Sequence, residues 1–230
     1  AATTPVPRTV AEEMARVLTE DFGNPSSQYA LGRAARDLVD RSRQTIANAL
    51  GCEAKQLYFT SCGTEADNWA LRSALHQNRR TGRHIITTAV EHSAVLQSVK
   101  PLEQEGYEIT YLKPDRSGRV TAAQVAGALR EDTALVSVML VNNETGARFP
   151  VEEIAALLRD KPALLHTDAV QGFLKVPFSA KTLGADFISL SAHKIGGPKG
   201  IGALCAVGRA KPPRPMLYGG GQEAGLRPGT

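Results

Sequence analysis

The sequence contains no uninterrupted apolar run near the roughly 18 residues that a membrane-spanning helix needs, so a transmembrane role is not expected. Cysteine is scarce: Cys52, Cys62 and Cys205 are the only three, and none stands at CxxC spacing. An odd, sparse count fits a reducing compartment better than a disulfide framework. A charged-then-apolar leader is also missing, so secretion is not expected. Charge of one sign is in short supply. The 27 Lys+Arg and 23 Asp+Glu leave a formal +4 spread along the chain, too mild to mark a nucleic-acid surface. No internal repeat, low-complexity tract or interdomain linker is visible. What remains is 230 residues of ordinary globular composition, 42% hydrophobic and 22% charged, enough for one large domain or two small ones. The expectation is a soluble cytoplasmic enzyme with no membrane or nucleic-acid partner.

Periodicity sets the architecture. Residues 9–20 read as a helix with Val10, Met14, Val17 and Leu18 on one face, and the Gly, Asn and Pro of 21–27 break it. A second helix is expected over 29–50, stopped by Gly51. Short apolar or β-branched runs follow at 56–60, 84–88, 108–112, 134–141, 163–167, 186–190 and 202–207. Helical stretches at 65–77, 93–105, 121–129 and 151–158 alternate with them. Strands alternating with helices imply βαβ units, and so an α/β fold: three layers, α/β/α, around a mostly parallel central sheet. The run 134–141 reads as a central strand buried on both sides. Both ends of the chain break off abruptly, so it is expected to be truncated.

Five constellations could carry chemistry. Lys194 lies in 191-SAHKIGGPKGIGAL-204, just after an apolar strand, where α/β sheets place ligands. A lysine held there, partly desolvated, can act as a Schiff-base amine and proton shuttle; alone it would be a solvated loop residue. Asp168 in 166-HTDAVQG-172 suits a buried carboxylate facing a cationic ring nitrogen, or equally a helix N-cap. The strand-turn-helix 60-TSCGTEADNWAL-71 offers free N–H groups with the Ser61 and Thr64 hydroxyls, a phosphate site or ordinary capping. It is not a Walker A loop, and the Gly219–Ala224 stretch, though it matches G-x-G-x-x-A, precedes no helical pattern. His92, after Glu91, sits at a strand end where an imidazole can stack on a planar ring or move protons, or simply lie at the surface. Finally, 142-NNETG-146 closes the most apolar strand as a turn, and its amides could donate to a ring substituent. Singly, four of the five are weak. Together they specify one ligand, pyridoxal 5′-phosphate, with the protein positioning an electron-sink cofactor. No metal is required.

At this point the sequence resembles the cysteine desulfurases of the class V aminotransferase superfamily, fold-type-I pyridoxal-phosphate enzymes. The match runs end to end: Ala1-Ala2-Thr3-Thr4-Pro5, Phe22-Gly23-Asn24-Pro25-Ser26-Ser27, Thr60-Ser61-x-x-Thr64-Glu65, Glu91-His92, Asn142-Asn143-Glu144-x-Gly146, His166-x-Asp168-Ala169-x-Gln171 and Ser191-x-His193-Lys194. Gly197-Pro198-Lys199-Gly200-Ile201-Gly202 and the ending Gly219 to Thr230 look like the group I members.

The resemblance implies that Lys194 is the Schiff-base lysine and general base, and that Asp168 partners the pyridine nitrogen. His92 would stack on the ring and move protons. Asn143 and Gln171 would face the phenolic oxygen. Gly63, Thr64, Ser191 and His193 would hold the phosphate. Thr230 would reach the phosphate of a neighbouring subunit, which makes a homodimer. The implied reaction takes sulfur from L-cysteine, leaving alanine and an enzyme persulfide for a sulfur-acceptor protein such as an iron–sulfur scaffold. Residues 1–230 would form the cofactor-binding large domain. The small C-terminal domain and the sulfur-accepting cysteine would lie outside it, and this form would be inactive alone. Other class V chemistries, selenocysteine lyase or aminotransferase, and a non-catalytic cofactor-binding fragment remain open. Two departures stand out: Ala224, where the family favours Arg, and Phe173 after Gln171-Gly172.

Overall fold

The computed structural model describes residues 3–230; Ala1 and Ala2, which open the Ala-Ala-Thr-Thr-Pro motif, lie outside them. Helix α1 (Arg8–Thr19) is followed by a turn-rich loop and the long helix α2 (Ala30–Leu50). Gly51 closes α2 in the left-handed region (φ 76°), where a β-carbon would be strained. The apolar row expected to be the inner face of α1 is exposed: Val10, Met14 and Leu18 all face solvent, and no residue of the helix is buried. An amphipathic period belongs to the helix itself and does not determine what lies opposite.

The alternating elements then appear as β1 (Leu57–Thr60), α3 (Gly63–Gln77), β2 (His84–Thr88), α4 (Ser93–Gln104), β3 (Glu108–Leu112), α5 (Ala122–Ala128) and β4 (Thr133–Ser137). After them come α6 (Val151–Leu157), β5 (Leu164–Asp168), α7 (Ala180–Leu183), β6 (Phe187–Ser191) and β7 (Gly202–Ala206). The four-residue α7 is too short to leave a periodic signal, although Ser179 and Thr182 cap it reciprocally. The strands form one seven-stranded sheet in the order β1-β7-β6-β5-β4-β2-β3. All are parallel except β7, which runs antiparallel to both β6 and β1. The mostly parallel expectation therefore holds.

Helices α3 and α4 cover one face with a core built on Trp69, Leu71, Leu75, Val95, Val99 and Leu102. Helices α5, α6 and α7, with the end of α2, cover the other through Val125, Ile154, Leu183 and Leu50. These are the three layers. Both faces of β4, β5 and β6 are buried, which explains why their sequences read as continuous apolar runs rather than alternating ones.

The strand expected over 134–141 is shorter. Its ladder to β2 ends at Ser137, opposite Thr87. Beyond that point Val138 and Leu140 still donate to the His166 and Asp168 carbonyls of β5. On the other side the Met139 amide is taken by the Glu91 carboxyl, at 3.0 Å, in place of a neighbouring strand. A side chain has replaced the ladder where β2 gives out.

Candidate active site

The C-terminal ends of β1, β4, β5 and β6 and the N-terminus of α3 converge on a cavity of about 530 Å³, within the usual range for small-molecule sites. Its walls include Gly63, Thr64, His92, Asn143, Asp168, Gln171, Ser191, His193 and Lys194. Nine of the ten residues that the resemblance implies for the cofactor are thus brought together from five separate segments. The tenth, Thr230, lies on the exposed tail outside this cavity, where the Gln222 amide donates to its hydroxyl at 3.4 Å.

The cradle forms because α3 begins at Gly63, two residues earlier than its apolar period shows. That puts Gly63 and Thr64 in the first turn, where amides have no intrahelical acceptor and favour an anion. Gly63 is required sterically. A β-carbon there would stand 2.9 Å from Val170 Cγ2 and 3.3 Å from Ser191 Cβ. The Ser61 hydroxyl, expected to join this cradle, turns away. Both its Oγ and its amide donate to Glu65, at 2.6 and 2.7 Å. Glu65 is in turn gripped by Arg227 at 2.8 Å, so the tail is fastened to the cradle.

The lysine turn follows directly from β6. Ser191 is the last residue of the strand, and Ala192, His193 and Lys194 form a single tight turn. The chain's N-terminal segment pins this turn. The Thr4 amide and hydroxyl donate to the His193 carbonyl at 2.9 and 3.0 Å, and the Gly196 amide donates back to Thr4 Oγ1 at 2.8 Å. Thr3 Oγ1 bonds His193 Nδ1 at 2.9 Å. Burial and the nearby Lys194 charge hold the His193 imidazole below its usual range.

His92 caps α4, its Nδ1 accepting the Ala94 amide at 3.1 Å. Beside it Glu91 is buried, accepting from Thr88 Oγ1 at 2.8 Å and from the Met139 amide. Burial pushes the Glu91 carboxyl up to about 8. The asparagine pair divides its labour. Asn142 is the scaffold: its Oδ1 accepts the Glu144 and Thr145 amides, and its Nδ2 donates to the Val90 carbonyl. Asn143 lines the cavity and donates to Glu144 Oε1 at 2.6 Å. Gln171 also lines it, with its Oε1 accepting from Lys175 Nζ at 3.1 Å.

Asp168 is the last residue of β5, 6% exposed. Its Oδ1 accepts the Val170 amide at 2.9 Å. Burial, and then the neighbouring Asp67, push its carboxyl up to about 7. Asp67 itself went unnoticed in the sequence, since one aspartate within an amphipathic helix carries no special signal. It stands one turn into α3, 1% exposed, and burial pushes it up to about 7 as well. Donor atoms of Asp67, His92 and Asp168 all lie within 4.8 Å of one another.

These residues fit pyridoxal phosphate. A buried carboxylate without a cationic partner is costly, and a protonated ring nitrogen would relieve Asp168. An anion would be met by the α3 amides, Thr64, Ser191 and His193. A primary amine, Lys194, opens onto the same space.

The class V aminotransferase family model matches residues 1–226, and the chain belongs to that family of pyridoxal-phosphate proteins. It is 44% identical over its whole length to the cysteine desulfurase IscS of Methanosarcina thermophila, covering 56% of that protein. A NifS-like protein superposes with a TM-score of 0.94 at 41% identity, over 99% of this chain and 63% of that one. SspA, solved in complex with cysteine, superposes with a TM-score of 0.94 at 37% identity, over 99% of this chain and 66% of that one. The chain spans less than two thirds of the length of each.

Proposed function

We propose that this chain is the cofactor-binding part of a cysteine desulfurase that uses pyridoxal phosphate to take sulfur from L-cysteine. The observation that carries the reading is Asp168, a buried carboxylate at a strand end, sharing one cavity with Lys194 and His92. The names of the relatives and the cysteine-bound SspA structure support the substrate.

Bound, pyridoxal phosphate would supply an electron sink for the bond-breaking at the substrate's Cα. Gly63, Thr64, Ser191 and His193 would hold its phosphate, Asp168 its ring nitrogen, and Asn143 and Gln171 its phenolic side. Lys194 Nζ would hold the cofactor through its aldehyde carbon and, once displaced by the substrate amine, move a proton at Cα. His92 would cover the ring and carry protons on that face.

The three cysteines suit structure better than sulfur transfer. Cys205 is buried in β7, its thiol pushed up by its contact with Cys52 and by burial. Cys62 lines the cavity at the N-cap of α3, beside the residues proposed for the phosphate. The acceptor thiol is therefore assigned to the part of the relatives' length that this chain does not span. Alanine and a persulfide for a sulfur-acceptor protein, such as an iron–sulfur scaffold, would be the products.

A homodimer would let Thr230 of one subunit reach its neighbour's cradle. The tail's exposure, and its fastening through Arg227 and Glu223, are compatible with that. Among the described residues no helix is long and apolar enough to cross a membrane. The free thiols favour a cytoplasmic setting.

Borohydride reduction of the cofactor-loaded protein, followed by peptide mapping, is the test. A pyridoxyl adduct on Lys194 and loss of the visible absorbance in Lys194→Ala are expected. An adduct elsewhere, or none, overturns the assignment. Chelator dialysis should leave the absorbance unchanged; if it abolishes cofactor retention, Asp67, His92 and Asp168 are a cation site instead.

A further inference from the structure

At the floor of the cavity, where Asp67 and Asp168 meet it, lies a buried polar cluster whose other members the proposed chemistry does not use. Asp67 Oδ1 is buried and has no hydrogen-bond partner. It points at His166 Nε2, 3.5 Å away. His166 is itself completely buried, bonded through Nδ1 to Ser137 Oγ at 2.8 Å and through Nε2 to Ser189 Oγ at 3.0 Å. The Ser189 hydroxyl also bonds the Asp67 carboxyl. Asp168, two residues along β5 on the same face, brings one of its carboxylate oxygens within 4.8 Å of one of Asp67's.

Two carboxylates this close and this dry cannot both ionise, so one of them keeps a proton. The surroundings differ in a way that selects which. Both line the cavity, but Asp168 accepts the Val170 backbone amide, a bond that favours its charged form, whereas Asp67 keeps Oδ1 buried without a partner. The Ser189 hydroxyl between Asp67 and His166 can accept a proton from Asp67 only if it gives its own to His166 Nε2, which requires a neutral imidazole. Burial does keep His166 neutral, drawing it down to about 4.

We propose that Asp67 is a positioning residue that carries the shared proton, donating it to the Ser189 hydroxyl, which passes its own hydrogen bond on to His166 Nε2, and so leaves Asp168 as the single negative charge facing the ring nitrogen of the cofactor. This rests on the pyridoxal-phosphate reading for its purpose but not for its test.

The charged neighbours are few. The other titratable groups bearing on Asp67 are His166 and Asp168 from β5, His92 at the start of α4, Glu91 beside it, and Lys194 across the cavity. The residues of β4 and β6 in the cluster, Ser137 and Ser189, do not titrate. From β1, Tyr58 faces α3 against Trp69.

The sign of the pH effect follows. A carboxyl whose folded pKa is raised binds its proton in the folded state over a range where the unfolded chain has lost it. Stability therefore falls as pH rises from about 4 to about 7. Asp67→Asn keeps the shape and a donor but removes the titration.

Two measurements test this on the cofactor-free protein. The first is the side-chain carboxyl resonances of isotope-labelled aspartate: one protonated aspartate near neutral pH is expected, lost in Asp67→Asn. The second is stability against pH, whose downward slope between about 4 and 7 should shrink by about one proton in the variant. If the resonance survives in Asp67→Asn, or if the variant loses the same stability at every pH, the proton is not on Asp67 and the proposal fails.

A third measurement uses pyridoxal phosphate itself. Asp168→Asn should release it at least about tenfold more readily than Asp67→Asn, because a carboxylate–cation pair is lost in one and a neutral hydrogen bond in the other. The reverse order would put the working charge on Asp67. A failed borohydride map would leave the first two measurements untouched.

Discussion

Gly63 and Glu91 illustrate two kinds of constraint on single residues around the cavity. At Gly63 the limit is space, since alanine would put a β-carbon 2.9 Å from Val170 and 3.3 Å from Ser191. Alanine is a better helix former by about 1 kcal/mol, yet overpacking costs about 1–3 kcal/mol. Gly63→Ala should therefore lower stability by up to about 2 kcal/mol in a denaturant titration, and it should weaken cofactor retention read by absorbance. At Glu91 the constraint is electrical. Its folded carboxyl stays protonated up to about pH 8, while the unfolded one ionises near its ordinary 4.5. Stability is then lost as pH rises between those values. Glu91→Gln, a close mimic of the neutral acid, should flatten that loss; thermal melts across the range would show an unchanged decline if Glu91 were ionised in the fold. The meeting of Lys194, Asp168 and His92 at one cavity was legible in the sequence because each lies at or just beyond the end of an apolar strand. Asp67 was not, since its importance lies in what α3 packs against.

At the level of elements, the lysine turn depends on a segment far away in sequence. Thr4 satisfies the His193 carbonyl and the Gly196 amide with one hydroxyl. Thr4→Val keeps the shape but leaves Gly196 without its acceptor. A cost of about 1–3 kcal/mol is expected, with slower or weaker cofactor capture because the turn loosens. Equal cofactor affinity in the variant would show that β6 alone positions the turn. Strand existence was readable from apolar runs, and the bounds of β2 and β3 with it, but the ends of β4, β5 and β6 were not. The overshoot at 138–141 arose because those residues stay apolar while Glu91 takes over the hydrogen bonding of Met139. Likewise, β5 and β6 each begin and end one residue later than their hydrophobicity shows, and that shift brings Asp168 and Ser191 inside the strands.

Across the whole molecule, the tail is tied back by an ion pair that is mostly buried. Arg43 meets Glu223 in a bidentate grip at 2.7 Å on both arms, with side-chain exposures of 16% and 10%, and stacks over Phe59 at 4.6 Å. Glu223 also accepts the Phe59 amide at 2.8 Å, and it adopts a left-handed φ of 46° to do so. Arg43→Ala leaves that carboxylate uncompensated and should destabilise by about 3 kcal/mol, whereas replacing both partners with methionine should cost much less. A double-mutant cycle in thermal unfolding measures the difference. The α/β/α layering was legible in the alternation of runs. The tail's return was not, because Gly-rich sequence carries no period and the pair is 180 residues apart.

The antiparallel β7 has a consequence for synthesis. It lies between β6 and β1, so β1, although made early, has no strand to join until residues 202–206 have emerged. Only then can the turn entering α3 be anchored, with Gly202 seated against the Cys62 backbone. A chain still growing on the ribosome must therefore carry its first strand unpaired until residues 202–206 emerge, and the turn entering α3 cannot take its final shape before then.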